Sequence, residues 1–233
     1  IDKIIPFIKK DVIKVLVGQR RVGKSVMLLQ LMDYIKETDK RHQIIYINKE
    51  LNEFNFIKDA ACLIEHVKQV ADKNLNTYLF IDEIQEIPDF ETAIRSLFAE
   101  GGYDIYCTGS NAEILSGEIA TRLAGRYMEF EIFCLSYNEF LRFHGLENTR
   151  NALVKYIKYG GLPFLIHLEL TDHIIYDYLG NIYKAILYKD IITRHHVRNP
   201  AFLERLVEYL ADNTGSLVSA KKNSVFFKSQ KTN

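Results

Sequence analysis

The chain is short of the features that mark a specialised environment. Its 30 Lys and Arg are cancelled by 30 Asp and Glu, which excludes a supercharged coat that binds nucleic acid indiscriminately. Hydrophobic residues at 48% and charged residues at 26% exclude a disordered chain. No apolar run approaches the roughly 18 residues of a membrane-spanning helix, so no membrane partner is expected. Only three cysteines occur, Cys62, Cys107 and Cys134. They are scattered, with no C-x-x-C pair, which argues against a disulfide framework or zinc site and fits a cytoplasmic protein. Internal repeats and low-complexity segments are absent. Ile1 to Pro6 lacks a signal-peptide pattern. A starting Met is missing too, and the sequence is expected to be a fragment of a longer chain.

What is present in the first 133 residues is an alternation of short apolar runs and amphipathic stretches, the pattern of an α/β fold with a mostly parallel sheet. Five strands are expected, at Val12 to Val17, Ile44 to Asn48, Thr77 to Asp82, Tyr103 to Thr108 and Arg126 to Phe133. Helices are expected at Gly23 to Glu37, Ile57 to Lys73 and Phe90 to Glu100, with a broken helix from Asn111 to Leu123. After Cys134 the texture turns helical. Ser136 and Glu139 form a capping box for a helix ending near Gly145. Further helices are expected at Ala152 to Tyr159, from Asp172 to as far as His195, and from Pro200 to Asp212, the last opened by a first-turn proline and closed by Gly215. A boundary is placed near residue 133.

Four stretches carry chemistry. Gly18-Gln19-Arg20-Arg21-Val22-Gly23-Lys24-Ser25 matches G-x4-G-K-[ST] between an apolar strand and a helix, the context this phosphate-binding motif requires. Its backbone N–H groups and the helix N-terminus make a positive cradle for phosphates. Gly18, Gln19, Arg20, Arg21, Val22, Gly23, Lys24, Ser25 and Val26 are expected to line the nucleotide, with Lys24 on the phosphoryl oxygens and Ser25 as a ligand of Mg²⁺. Tyr78 to Glu83 is an apolar strand ending in two carboxylates, at the strand edge where α/β sheets place ligands. Asp82 is the expected partner of Mg²⁺, through its water shell, and Glu83 the general base for an attacking water. Ile105 to Asn111 is another apolar strand with a small polar end. Ser110 or Asn111 is expected to act as a sensor that hydrogen-bonds the γ-phosphate or the attacking water; Ser110 is preferred, and Asn111 also suits a helix N-cap. Arg122 and Arg126 flank a glycine before the fifth strand. Arg126 is the better candidate to stabilise charge in phosphoryl transfer, from its own chain or from a neighbouring copy, which would require a homo-oligomer.

Together the Gly18–Ser25 loop, Leu79 to Gln85 and Thr108-Gly109-Ser110-Asn111 resemble the AAA superfamily of P-loop ATPases. Leu123-Ala124-Gly125-Arg126 with Leu135 to Leu141 is similar to a prokaryotic AAA ATPase family carrying "LAGR…PLS…E(F/Y)L", and Tyr159 to Pro163 resembles the start of its helical lid. Cys134 stands where that family usually has proline. The resemblance spans roughly residues 12 to 220. It implies a three-layer α/β/α sandwich with strand order 2-3-4-1-5 and a helical lid, and it implies ATP, Mg²⁺ and the roles above for residues 18–25, 82, 83 and 110. The expected organisation is an ATPase core over 1–133, a lid over 134–213 and the opening of a winged-helix-like segment over 214–233. Longer relatives of this kind continue into a domain resembling PD-(D/E)xK nucleases.

Two other groupings have blander explanations. His195-His196 beside Arg194 and Arg198 reads as a solvated helix end, because neighbouring helix residues do not share a face. Tyr176, Tyr178, Tyr183 and Tyr188 read as packing rather than base stacking. The leading expectation is ATP hydrolysis coupled to lid movement. The alternative is a nucleotide-dependent switch that binds DNA or a protein client through the C-terminal helices. A small-molecule phosphotransferase is the weakest option, because no arginine-rich lid segment is evident. Neutrality also hides a division: residues 12–133 carry 14 basic and 19 acidic side chains, and residues 184–233 carry 9 and 4.

Overall fold

The structure, a computed structural model, describes residues 1–110, 123, 125–193 and 199–216. Five strands form one sheet: β1 (Ile13–Gly18), β2 (His42–Asn48), β3 (Asn76–Asp82), β4 (Tyr103–Ser110) and β5 (Tyr127–Glu131). Every pairing is parallel and the order is β2-β3-β4-β1-β5, the order expected. Parallel neighbours need crossover connections. Between the first four strands these are α1 (Lys24–Thr38), α2 (Ala60–Val70) and α3 (Phe90–Glu100).

Side chains on a strand alternate between faces, and both faces are covered. Ile13, Val15, Val17, Ile45, Ile47, Leu79, Ile81, Ile105 and Cys107 pack with Leu63 and Val67 of α2 and Ile94 and Leu97 of α3. The intervening Leu16, Tyr78, Phe80 and Tyr106 pack with Leu28, Leu31, Met32 and Ile35 of α1. The sheet is thus buried on both sides, as an all-parallel sheet must be. α2 is shorter than the apolar pattern suggests. Asp59 accepts from the Cys62 N–H at 2.9 Å and so fixes the helix start later than Ile57.

Beyond the sheet, α4 (Tyr137–His144) opens on the Ser136–Glu139 capping box and closes on Gly145. α5 (Arg150–Tyr159) is capped by Thr149. α6 (Asp172–Ala185) runs on into a π-helical stretch, Ile186–Thr193, and α7 (Pro200–Asp212) begins with its proline in the first turn. The chain divides into two compact units, Ile1–Ile175 and Tyr176–Asn233. The expected broken helix, apart from Leu123, lies outside the described residues, as do Arg194, His195, His196 and Arg198 and residues 217–233 of the expected winged-helix opening. Among the described residues no helix is long and apolar enough to cross a membrane.

Candidate functional site

Because the strands are parallel, all of them end at one edge, and the loops carrying the sequence motifs meet there. The register sets Gly18 against Ser110 and Asn48 against Asp82. Gly18 is required for a packing reason: a Cβ there would lie 2.3 Å from the Ile132 carbonyl oxygen. Gly23 is required for a conformational one, with φ at +99° as the N-cap of α1. A Cβ on Gly23 would meet nothing within 4 Å, so it borders open space at the mouth of the loop. Gly23 brings no capping side chain to the first N–H groups of α1, the groups with which a helix start binds an anion.

Lys24 is only 5% exposed. Its Nζ donates to the carbonyls of Gly18 (2.9 Å) and Gln19 (3.1 Å), tying the loop to the helix start. Burial lowers its pKa from the ordinary lysine value, while the nearby Glu83 and Asp82 carboxylates act to raise it. Val22 is buried and anchors the loop. Gln19, Arg21, Ser25 and Val26 are exposed and Arg20 half-buried. Arg21 adopts a left-handed φ of 66°.

Asp82 is 2% exposed at the end of β3. Thr108 Oγ1 donates to its Oδ1, and Tyr46 Oη donates to its Oδ2 in a longer contact of 3.3 Å. Burial, reinforced by the Asp82 charge, pushes the Tyr46 hydroxyl up to about 12. Glu83 follows with φ +53° and ψ 52°, a left-handed conformation that is uncommon for glutamate. Its N–H is accepted by the same Thr108 hydroxyl at 3.1 Å, and Gln85 Nε2 donates to its carboxylate. Gln85 Oε1 is buried and makes no hydrogen bond.

Lys24, Asp82 and Glu83 are therefore brought together with the Gly18–Ser25 loop. Ser110 ends β4 beside Gly18, but its side chain lies outside the described ones, as do Asn111 and Arg122. Arg126 is not brought to this edge. It is exposed at the opposite end of the sheet, where its carbonyl accepts from Ile13 N–H. The length of β1 separates it from Gly18, about 16 Å at strand rise. The sequence pattern missed the roles of Tyr46, Thr108 and Gln85. Side-chain parity along β2 and β4 was the available signal for the first two.

A groove of about 330 Å³ runs beside the loop, lined by Gly18, Gln19, Val22, Glu131 to Leu135 and Tyr156. Its far wall is fixed by Tyr156 Oη donating to Leu135 O at 3.0 Å and by Leu135 N–H donating to Gly161 O at 2.7 Å. Among the described residues no cluster of three or more His, Cys, Asp or Glu could hold a metal by itself. Oxygen donors on this edge include the Ser25 hydroxyl and the Asp82 carboxylate. A hard divalent ion sharing phosphate oxygens and keeping several waters needs no more from the protein.

Comparison with known proteins agrees with this architecture. A family model described as "AAA domain" matches residues 10–141. An uncharacterized protein of Haemophilus influenzae is 35% identical over 232 residues, covering 96% of this chain and 57% of its own length. One from Methanocaldococcus jannaschii is 32% identical over 242 residues, covering 94% of this chain and 50% of its own. The chain thus spans about half the length of the curated relatives it matches. Among solved structures, Saccharomyces cerevisiae Hsp104 in its extended complex with casein superposes with a TM-score of 0.50 at 16% identity, over 71% of this chain and 34% of that one. With the model covering more than half of the residues and the sheet order in accord, the chain belongs to the AAA domain family.

Proposed function

We propose that the protein binds ATP with Mg²⁺ at the carboxyl edge of the sheet and hydrolyses it. The observation that carries this reading is the meeting of a buried lysine at the N-terminus of α1 with the two carboxylates at the end of β3, Asp82 and Glu83. Burying Lys24 and Asp82 is costly, and a phosphate on the lysine with a metal on the aspartate would add a counter-charge to each. The open space at Gly23 and the oxygen donors fit that pair. Ser25 and Asp82 would hold the ion, which when bound neutralises charge on the phosphate oxygens.

In this reading Lys24 and the N–H groups of residues 19–25 orient the β- and γ-phosphates. The base and ribose extend along the groove between Gln19, Phe133, Cys134 and Tyr156. Glu83 takes a proton from the attacking water as its oxygen bonds to the γ-phosphorus and the bond to the bridging oxygen of ADP breaks. Ser110 is the proposed γ-phosphate sensor. Arg126, at the far end of its own sheet, is proposed to serve the site of a neighbouring copy. Residues 134–213 are read as a helical lid whose position follows the nucleotide, and 214–233 as the opening of a winged-helix-like segment.

Phosphate release from Mg-ATP tests the reading. Wild type should turn over, and Glu83→Gln should retain bound ATP without hydrolysing it. Absence of turnover in the wild type, together with no ATP trapped on the variant, would defeat it. The DNA-binding alternative draws on the excess of basic over acidic residues in 184–233. It requires ATP-dependent DNA affinity that falls steeply with salt.

A further inference from the structure

We propose that Thr108 is the positioning residue that sets the metal-binding and water-activating carboxylates together. The inference rests on the ATPase reading and assigns a residue within it. Thr108 lies on the α1 side of β4, level with the end of β3, and is completely buried. Its one hydroxyl does two things. It donates to Asp82 Oδ1 and accepts the Glu83 backbone N–H at 3.1 Å. Asp82 is thereby held in one rotamer, with Tyr46 on its second oxygen.

The second contact acts on conformation. A glutamate with φ near +53° is strained, and the bend it makes decides where the carboxylate points. The Thr108 hydroxyl accepts the N–H of that bend, so the strained peptide has a partner inside the protein. One side chain on a neighbouring strand thus couples the rotamer of Asp82 to the backbone turn at Glu83. A residue needed only to fill this place in the core could be valine, which has the same shape and no hydroxyl. Valine would remove the partner of a part-buried N–H and of a buried carboxylate oxygen.

Thr108→Val and Thr108→Ser test this. Binding of a fluorescent ATP analogue in EDTA reports the Lys24 cradle alone and should be unchanged in both variants. For Thr108→Val, the Mg²⁺ concentration that half-saturates metal-dependent binding should rise about tenfold, and kcat should fall by about tenfold to a hundredfold, the range for losing a residue that orients a metal ligand. KM should change little. Thr108→Ser keeps the hydroxyl and should restore both quantities. Should valine not fold, Thr108→Ala gives the same comparison with serine. Two results overturn the inference alone: a valine variant that matches an active wild type, and a serine variant as impaired as valine, which would mark a packing role. A wild type that binds no Mg-nucleotide overturns the ATPase reading and this inference with it.

Discussion

Lys14 and Lys24 are both withdrawn from solvent, one fully and one to 5% exposure, and their surroundings explain why one is structural and the other chemical. Lys14 sits near the start of β1. It pairs with Asp104, donates to Lys10 O at 3.0 Å and lies 5.3 Å from the centre of the Tyr106 ring. Tyr106 Oη completes the set by donating to Asp104 at 2.8 Å. Burial lowers the Lys14 pKa, and the Asp104 carboxylate acts to raise it. Asp104→Ala strands a buried cation and should cost about 3–5 kcal/mol, whereas Lys14→Met with Asp104→Leu should recover most of that loss. Denaturant melts of the single and double variants check it. Among the described residues Lys24 donates to loop carbonyls rather than to a carboxylate, which is the arrangement expected of a charge reserved for a ligand.

Asp39 makes a testable statement about pH. Lys9 in the N-terminal segment, 2.9 Å away, holds its carboxyl well below the usual range, helped by Arg41 N–H, Asn76 and Tyr78. The folded chain therefore binds this proton more weakly than the unfolded chain. The resulting stability is fully present above about pH 4, the unfolded value, and is lost as pH falls below it. Asp39→Asn should melt lower than wild type at pH 7, and the gap should narrow as the pH is taken below 4.

At the scale of elements, the alternation of apolar residues announced the strands, because a sheet covered on both faces needs continuous apolar runs. Caps and glycines announced α4 and α7. Ser136→Ala should remove the capping box and cost about 1 kcal/mol, seen as a lowered midpoint in a thermal or urea melt. The strand order was legible only through the family resemblance. Hydrophobic pattern does not say that β4 lies between β3 and β1, and the order by itself gives no register, which is why Thr108 and Tyr46 were missed. Thr108 meets Asp82 across 26 positions of sequence and Tyr46 meets it across 36. Both contacts exist only once β2, β3 and β4 are adjacent. The loop motif needed no such knowledge, since Gly18, Gly23 and Lys24 are joined by local geometry. Lys14 falls within a run that reads as uniformly buried strand, and its partner, 90 residues away, comes from β4.

For the whole molecule, the central question is how one site becomes a working assembly. Arg126 stands a strand's length from the phosphate loop of its own chain, so a catalytic role needs a second copy. Arg126→Ala mixed with Lys24→Ala should then recover turnover that neither variant has alone, because one supplies an intact phosphate loop and the other an intact arginine. No recovery, with both variants folded, would remove Arg126 from the mechanism. The acidic surplus over 12–133 and basic surplus over 184–233 further predict that any nucleic-acid contact lies toward the C-terminal side.

Hydrolysis, metal binding and any lid movement all require that the phosphate loop hold a nucleotide through Lys24. Equilibrium binding of a fluorescent ATP analogue with Mg²⁺, in wild type and in Lys24→Ala, addresses this directly. Saturable binding by the wild type that is lost on removing the lysine is the predicted result. Binding of equal strength in the variant, or none in the wild type, would contradict the account.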